Sequence, residues 1–345
     1  SCTLITLDDA TQDRHAVDPA VTRRPLDVMR NSSSRWSAVT NNLRRAATLR
    51  RAIAQSKPDV VLSFCDVTNV LTLLASRGLR VPVVVSERSD PEKQKLPWPW
   101  STLRPRLYRH AARVIVLTDT AAAEVTPWCD VTPIVIPSAV DTPTPTPTES
   151  SDAQESQQRI LLGVGRLERE KGFDRLIDAF ATLAPQFPDW KLRIVGDGSC
   201  RRVLERQATD AALNDRIEFV GWLQPIWPAY ATVDLFALTS RYEGFPSALL
   251  EAMASGLAVL SVDCESGPRA IIRDGVNGLL VRDERASIVE GLRRAMSDAE
   301  LRLRLGNTAR EIINQFGWEA MVDAYERVLM QVAIAPNRST NDPVA

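Results

Sequence analysis

Histidine is nearly absent from this 345-residue chain, which contains only His15 and His110. Its five cysteines are scattered, odd in number and never spaced as C-x-x-C. Because a structural zinc site takes four Cys and His ligands at short spacings, the sequence argues against a zinc-stabilised domain, and we expect no bound metal. The cysteine pattern favours free thiols in a reducing compartment over a disulfide framework. We therefore expect a cytoplasmic protein.

Long apolar runs are also lacking. No uninterrupted apolar stretch reaches about 18 residues, the length of a membrane-spanning helix, and no charged-then-apolar signal peptide opens the sequence. The apolar content is nevertheless 44%, which is ample for two domain cores in a chain of this length.

The net charge of −1 hides an asymmetry between the two parts of the chain. Residues 1–141 carry 19 Lys and Arg against 14 Asp and Glu, whereas the remaining residues carry 23 against 29. A basic first part is typical of a face for an anionic membrane or for nucleic acid. Ordinary solvated helices would give the same count, so this alternative stays open.

Short runs rich in Val and Ile alternate with helical patterns through the first part of the chain. A predicted helix at 36–55 is followed by a second helix that Thr68 and Asn69 are placed to cap and that ends at Ser76. The segment between the first strand and Arg35 is polar and shows little periodicity. The predicted strands lie at 1–7, 59–64, 81–86, 113–118 and 133–137. Apolar strands that alternate with helices are typical of a parallel α/β sheet.

The same alternation resumes at Arg159. The predicted strands of this part lie at 160–165, 192–198, 217–221, 234–239, 258–262 and 278–281, and the predicted helices at 173–183, 287–297, 300–314 and 318–332. Between the two parts, a Thr-Pro repeat and a polar stretch predict a semi-rigid linker. We therefore predict two domains, 1–141 and 159–317, joined by a linker at 142–158 and followed by a helix at 318–332 and a disordered tail at 333–345.

The stretch with the most chemical information is 240–256, which reads S-R-Y-E-G-F-P-S-A-L-L-E-A-M-A-S-G. Pro246 suits the first turn of a helix, and Gly256 is placed to end it. Glu243 then lies just ahead of the helix and Glu251 in its second turn, which allows a carboxylate separation of about 10 Å. Helix N–H groups between them would meet a diphosphate, and each carboxylate would accept from a pair of sugar hydroxyls, as a nucleotide-sugar requires. Two solvated helix glutamates are the alternative.

A second informative turn reads G-V-G-R-L-E-R-E-K-G over residues 163–172. Its first two glycines invite a dinucleotide-binding interpretation, but Glu168 stands where the third glycine of that fingerprint belongs. Arg166 can donate a fork to two phosphate oxygens, and Lys171 adds a compact positive charge. Both are predicted at the carboxyl end of a parallel strand, the edge where such sheets bind ligands. Either cation alone would be explained as a surface charge.

Together the two motifs resemble the Glu-x7-Glu signature and the G-R-L-x-x-E-K-G-F segment of glycosyltransferase family 4, whose members have the GT-B fold. Matches at 195–198, 219–221 and 272–281 extend the resemblance over nearly the whole second domain. The segments S-F-C-D-V-T-N and V-V-V-S-E-R-S-D-P more loosely resemble bacterial members that elongate lipid-linked oligosaccharides or polysaccharides. The resemblance implies two Rossmann-like domains with a cleft between them and a last helix that crosses back to the first domain.

The resemblance also implies a reaction: transfer of a sugar, with retention and without a metal, from an NDP-sugar, expected to be UDP-linked, to a hydroxyl of a glycan or polyprenyl-linked saccharide. It implies no separate cofactor and no nucleic-acid partner. Arg166 and Lys171 would stabilise the departing diphosphate, and Glu243 would orient the transferred sugar, which makes these three the expected catalytic residues. The residues expected to bind the donor are Gly165, Gly196, Val220, Gly244, Phe245, Pro246, Ser247, Ala248, Leu249 and Glu251, the last through the ribose.

Two departures from the family pattern leave questions open. Glu87 and Arg88 follow a predicted strand where many relatives place a His that contacts the donor sugar, so both are candidates for the acceptor or donor side. Arg88 cannot act as a base at neutral pH, although it can bind an oxyanion. The segment 267–269 replaces the more usual Gly-Gly-x-Pro-Glu, which leaves the sugar undetermined. Two other functions stay open, a GT-B nucleotide-sugar epimerase and a non-catalytic module that binds nucleotide-sugars.

Two expectations concern the first domain alone. Its predicted first helix contains four arginines, and Trp98 and Trp100 precede three more, a combination that fits docking on the anionic inner face of a membrane. Packing of the tryptophans in the core is the alternative. The strand that starts at Ser1 resembles the second strand of family members, so we expect an amino-terminally truncated chain whose first domain is less stable than its second. The seven arginines are Arg44, Arg45, Arg50, Arg51, Arg104, Arg106 and Arg109.

Overall fold

A computed structural model describes residues 1–9, 11, 17–29, 35–143, 158–264 and 266–334. The chain divides into two compact units, one formed by Ser1–Val135 with Ala324–Ala345 and one formed by Ile136–Asp323. The predicted linker and the predicted tail fall mainly at 144–157 and 335–345, which lie outside the described residues.

The first unit contains two parallel sheets. One pairs β1 (Cys2–Thr6) with β2 (Val21–Pro25), and the other has the order β3 (Val61–Phe64), β4 (Val83–Ser86), β5 (Arg113–Val116), β6 (Ile134–Val135). The helices of this unit are α1 (Arg35–Ser56), α2 (Asp66–Ser76), α3 (Trp100–Tyr108) and α4 (Asp119–Val125). Val84 and Val114, in the two central strands, are fully buried. This is expected of a parallel sheet whose faces are both covered.

The second unit contains one six-stranded parallel sheet. Its order is β12 (Leu279–Val281), β11 (Val259–Val262), β10 (Leu235–Leu238), β7 (Arg159–Val164), β8 (Trp190–Val195), β9 (Ile217–Gly221). Its helices are α5 (Phe173–Leu183), α6 (Arg201–Asp210), α7 (Trp227–Ala231), α8 (Ser247–Ala254), α9 (Pro268–Ile271), α10 (Arg285–Ser297), α11 (Ala299–Ala309) and α12 (Ile312–Phe316). A last helix, α13 (Trp318–Ile334), begins in this unit and contributes its residues from Ala324 to the first.

The strand order of the second unit reverses direction between β7 and β10, because β8 and β9 extend the sheet on one side and β11 and β12 on the other. This is the doubly wound arrangement, and the α/β fold class predicted from the sequence is confirmed. In such a sheet the two strands at the reversal leave a crevice at their carboxyl ends.

Several elements differ from the sequence-based predictions. The strand β2 was not predicted, because its sequence V-T-R-R-P is mostly polar and does not alternate as a half-buried strand should. The predicted helix at 300–314 is two helices, and the second turns Phe316 into the core, where its ring lies 5.4 Å from that of Phe245. Asn69 does not cap α2 but lies inside it, fully buried, and its amide donates to the Ser86 carbonyl at 2.9 Å. No helix in the described part of the chain is long and apolar enough to cross a membrane.

Candidate functional site

The candidate site lies where the strand order of the six-stranded sheet reverses. The turn after β7 carries Arg166 and Lys171, and the segment between β10 and α8 carries Glu243. Both segments therefore leave the sheet at carboxyl ends of neighbouring strands, which pair through Phe236 and Leu162. This is the edge at which open parallel sheets bind their ligands.

Lys171 and Glu243, 72 residues apart in the sequence, form an ion pair in this site. The Lys171 ammonium donates to both carboxylate oxygens of Glu243 at 2.8 Å. The Glu243 side chain is only 6% exposed and that of Lys171 21%. Ser240 donates a third hydrogen bond, from Oγ to Oε1 of Glu243, at 2.6 Å. These three hydrogen bonds provide the buried carboxylate with the polar partners that burial otherwise removes.

Arg166 is held much less firmly. Its side chain is 74% exposed, and its Nη2 atom donates to Oε1 of Glu170 at 3.1 Å. Exposed ion pairs four residues apart contribute little to stability. The guanidinium can therefore turn to another anion at little cost.

Glu251 lies in the second turn of α8, as the sequence predicted. The Tyr230 hydroxyl donates to its Oε2 atom at 2.8 Å. Burial raises the pKa of the Glu251 carboxyl, and the hydrogen bond from Tyr230 opposes that shift. Burial and the nearby Glu251 also raise the pKa of Tyr230 well above its usual value, so the phenol stays protonated and remains a donor.

Glycines allow the turn after β7 and the turn after β8 to approach each other closely. Gly196 has φ +137°, and a Cβ there would overlap the carbonyl oxygen of Gly165. A Cβ on Gly198 would lie 2.6 Å from the carbonyl oxygen of Leu167. Since backbone atoms cannot move aside as side chains do, these positions require glycine.

Glu168, which interrupts the dinucleotide fingerprint, links the same two turns. Its Oε1 atom accepts from the Ser199 amide at 2.9 Å and its Oε2 atom from the Ser199 hydroxyl at 2.6 Å. These hydrogen bonds lower the pKa of Glu168. The residue therefore fixes the turn that carries Arg166 and Lys171.

The helix α8 begins without a side-chain cap, because Pro246 occupies its N-cap position. The first N–H groups of any α-helix have no partner inside the helix. Here they belong to exposed Ser247 and half-buried Ala248, so the start of α8 presents N–H donors beside Glu243. The side chains of Phe245, Pro246 and Leu249 are buried, and the Phe245 ring packs against that of Phe316. Two other residues expected to bind the donor, Gly244 in this turn and Val220 in β9, are half-buried.

Glu87 lies in the first unit, in a buried network of its own. Its side chain is fully buried, and its Oε2 atom accepts from Arg104 and from the Tyr108 hydroxyl, both at 2.7 Å. The Arg104 guanidinium also lies 4.8 Å from the centre of the Trp128 ring. Arg104 and Tyr108 thus hold the Glu87 carboxylate in the structure, and a place for Glu87 on the acceptor or donor side stays a prediction. Arg88 is half-buried beside it.

Sequence reasoning missed two residues that hold the carboxylates. Ser240 lies three residues before Glu243, a separation at which a serine hydroxyl commonly bonds a neighbouring group in a turn, so a local signal existed. Tyr230 lies 21 residues before Glu251 on another helix, and nothing in the sequence pattern links the two.

Two family models match this chain. Residues 147–312 match the family model described as "Glycosyl transferases group 1", and residues 1–136 match that described as "Glycosyl transferase 4-like domain". Over 172 residues the chain is 36% identical to the lipopolysaccharide core biosynthesis glycosyltransferase LpsE of Rhizobium meliloti (strain 1021). That match covers 49% of this chain and 49% of LpsE, so the chain aligns with about half the length of that relative.

A more distant relative aligns over more of the chain. It is the GalNAc-alpha-(1->4)-GalNAc-alpha-(1->3)-diNAcBac-PP-undecaprenol alpha-1,4-N-acetyl-D-galactosaminyltransferase of Campylobacter jejuni, 25% identical over 313 residues, with 86% of this chain and 81% of that protein covered. Among solved structures, Anabaena HepE in complex with UDP and glucose superposes with a TM-score of 0.76 at 20% identity. The superposition covers 90% of this chain and 86% of HepE. At this identity it is evidence for the fold alone. The two matched domains and this fold show that the chain belongs to the GT-B glycosyltransferases, as its resemblance to glycosyltransferase family 4 predicted.

Proposed function

We propose that this chain is a retaining glycosyltransferase that moves a sugar from an NDP-sugar to a hydroxyl of a glycan or lipid-linked saccharide. The observation that carries the proposal is the Lys171–Glu243 ion pair, with Arg166 on the same turn and the open start of α8 beside it. Cations for a diphosphate and a carboxylate for a sugar are thereby adjacent. The UDP and glucose bound by HepE favour a UDP-linked donor. The lipid-linked acceptor is suggested by the name of the Campylobacter relative.

In the proposed reaction the diphosphate attracts Lys171 and Arg166, and Glu243 exchanges its ammonium partner for hydroxyls of the transferred sugar. The bond from the anomeric carbon to the phosphate oxygen breaks, and negative charge develops on the departing diphosphate. The two cations and the N–H groups of α8 would stabilise that charge in the transition state. Because they can supply this stabilisation, the proposed mechanism includes no metal ion and no cofactor other than the substrate itself.

Retention requires the acceptor oxygen to bond to the anomeric carbon on the face that the phosphate leaves. We infer a front-face route in which a phosphate oxygen takes the proton of the acceptor hydroxyl. Glu243 then orients the sugar and does not act as a base. Hydroxyls of the sugar would take the place of Lys171 on the carboxylate, while Ser240 would still donate to Oε1 of Glu243.

The proposal is tested with a panel of UDP- and GDP-sugars. Release of free nucleoside diphosphate in the presence of a saccharide acceptor, with an axial or equatorial product linkage that matches the donor, is the expected result, and it should persist in EDTA. A binding module would show heat of UDP binding in calorimetry but would release no nucleotide from any donor. An epimerase would convert the donor sugar to its epimer without an acceptor, which NMR of the sugar would reveal. An inverted product linkage would exclude the front-face route.

We also infer that the first unit docks on an anionic membrane surface at the inner face of a membrane. Trp98, just before α3, is 78% exposed, and exposed Lys95, Arg106 and Arg109 are close to it in sequence. Core packing therefore does not explain Trp98, whereas Trp100 is half-buried against the core. A protruding indole with nearby cations is typical of proteins that bind at lipid headgroups.

The helix α1 adds a second exposed apolar feature. Val39 is 46% exposed and Leu43, one turn later, 66%. Arg44 and Arg51 are exposed on the same helix. Three of the seven arginines named from the sequence form hydrogen bonds or ion pairs within the first unit and are not counted in this surface. Arg104 pairs with Glu87, and Arg45 and Arg50 donate to backbone carbonyls of the first unit.

Sedimentation with vesicles tests the docking. Vesicles with anionic lipid should carry the protein into the pellet at low salt and release part of it at high salt, because salt screens the cations. Trp98→Ala should lower the bound fraction, whereas Trp222→Ala, which removes a 46% exposed tryptophan from the second unit, should not. Absence of the protein from the pellet at low salt would contradict the inference.

A further inference from the structure

A buried tyrosine touches one of the two carboxylates of the candidate site. Tyr230 is 1% exposed, and its hydroxyl lies 2.8 Å from Oε2 of Glu251 and 3.3 Å from the carbonyl oxygen of Ala248. Its ring packs against those of Trp227 and Phe236, each at a centroid distance of 6.2 Å. The packed ring fixes the position of the hydroxyl, because a tyrosine side chain has no freedom beyond its two torsions.

The protonation state of Glu251 decides what the carboxyl can accept. Burial favours the neutral form of the group. A neutral carboxyl turns one oxygen into a donor, whereas the carboxylate offers both oxygens to a pair of hydroxyls. A hydrogen bond donated by a phenol stabilises the carboxylate selectively. Tyr230 therefore opposes the effect of burial on Glu251.

The contact also restricts the orientation of the carboxylate. Oε2 is held by the Tyr230 hydroxyl, and within the described part of the chain no hydrogen bond reaches Oε1. An ionised carboxylate oxygen has two acceptor sites. One oxygen is thus anchored with an acceptor site to spare, and the other is left for a ligand.

We propose that Tyr230 is a positioning residue that holds Glu251 for the ribose diol of the donor nucleotide and so sets the preference for a ribonucleotide over a 2′-deoxyribonucleotide. This inference rests on the proposed function, in which Glu251 binds the ribose. A site built to bond a hydroxyl rejects the analogue that lacks it, because its own polar group is then left unpaired. The discrimination depends on Glu251 being ionised and correctly oriented, and Tyr230 serves both conditions.

The test compares the affinities of the full chain for UDP and for 2′-deoxy-UDP by calorimetry. We expect the wild type to bind UDP about 10-fold or more tightly than the deoxy analogue, as the loss of one hydrogen bond to a charged group implies. Tyr230→Phe keeps the ring and removes only the hydroxyl. It should reduce this ratio by about threefold or more, mainly through weaker UDP binding, and raise KM for the donor with little change in kcat.

Two further variants separate positioning from a merely structural role. Tyr325→Phe removes another buried hydroxyl, which lies 2.9 Å from Ser86 Oγ in the first unit, and should leave the ratio at its wild-type value. In a Glu251→Gln background, Tyr230→Phe should not change the ratio further, because its effect acts through the carboxylate.

The outcomes distinguish the inference from the proposed function. If UDP binds and the ratio is the same in the wild type and in Tyr230→Phe, the positioning role is wrong although the function stands. The positioning role is also wrong if the wild type binds UDP and 2′-deoxy-UDP equally. If neither nucleotide binds, the UDP-linked donor of the proposed function and this inference are both wrong. A Tyr230→Phe protein whose melting temperature falls but whose ratio is unchanged shows packing alone.

Discussion

The residues of the candidate site differ in how firmly the protein holds them. Glu243 is buried with three hydrogen bonds to its carboxylate, whereas Arg166 is mostly exposed beside Glu170. A buried carboxylate keeps a fixed position, and an exposed guanidinium can follow a charge that moves during the reaction. These properties suit the proposed transfer, in which Glu243 would orient the sugar and Arg166 would bind the leaving diphosphate.

Removal of either group should therefore abolish most of the turnover. We expect Arg166→Ala and Glu243→Gln each to lower kcat by about 100-fold or more, in line with the loss of one group that stabilises developing charge or orients the substrate. Arg282→Ala is the matched control, since that side chain is 79% exposed and pairs weakly with Glu284 at 3.8 Å. Initial rates of UDP release measure the effect. A wild-type rate of UDP release in either variant would contradict the proposed role of that residue.

A second ion pair near the site predicts a dependence of stability on pH. Asp174 accepts two hydrogen bonds from the Arg241 guanidinium, at 2.8 and 2.6 Å, and these lower the pKa of the Asp174 carboxyl. A lowered folded-state pKa means that the stabilisation is present above the unfolded value of about 3.9 and is lost as the pH falls through the folded-state pKa. Asp174→Asn should thus be less stable than the wild type at pH 7, and the gap should close below about pH 4. Urea unfolding at several pH values measures the difference in free energy of unfolding between the two proteins. A difference that does not vary with pH would argue against a stabilising ion pair.

At the scale of elements, the close approach of the turns after β7 and β8 constrains the sequence of the second unit. Gly196→Ala should lower the free energy of unfolding by about 2 kcal/mol or more, because the new Cβ would overlap the Gly165 carbonyl in addition to the strain of positive φ. Gly275→Ala is the control: its φ is +71° and a Cβ there meets nothing within 4 Å. Gly275→Ala should lower the free energy of unfolding by about 1 kcal/mol, from backbone strain alone. Equal losses in the two variants would show that the close approach of the turns is not limiting.

The elements that sequence reasoning predicted are those whose signals are local. The helix at 173–183 and the strand at 217–221 were predicted at the bounds observed, because the apolar pattern marks both, with Gly172 just before the helix and Gly221 at the end of the strand. The strand β2 was missed because a parallel partner, β1, and not its own composition, makes it a strand. The role of Asn69 was missed for a similar reason. Its capping ability is local, but the acceptors that its amide bonds lie 17 and 39 residues away.

The candidate site divides in the same way. Arg166, Lys171 and Glu243 could be named from two motifs, and the doubly wound order brings those motifs to one edge of the sheet. The contact between Lys171 and Glu243, and the support that Tyr230 gives Glu251, depend on side-chain packing across elements. Periodicity and spacing carry no information about such packing, so these contacts cannot be predicted from the sequence.

At the scale of the whole molecule, the two-stranded sheet of the first unit is less buried than the six-stranded sheet of the second. The six-stranded sheet buries both Leu161 and Leu192 completely, whereas the first three residues of β1 are exposed in a sheet of two strands. Backbone hydrogen bonds open most easily where few apolar contacts cover them. Amides of β1 should therefore exchange with solvent much faster than those of β8, with the central strand β4 as a comparison inside the first unit. Exchange followed by mass spectrometry measures this, and equal protection of β1 and β8 would be unexpected.

The ion pairs of the ligand-free site have a consequence for selectivity. Arg166 and Lys171 are balanced by Glu170 and Glu243, so the local charge sums to zero before any ligand arrives. An inorganic anion that drew Lys171 away would leave Glu243 buried without its cation, an arrangement that is unfavourable by itself. A ligand that brings phosphate oxygens to Lys171 and hydroxyls to Glu243 satisfies both groups together. In the proposed function, the pair would therefore favour a ligand that carries both a phosphate and sugar hydroxyls over bare inorganic phosphate.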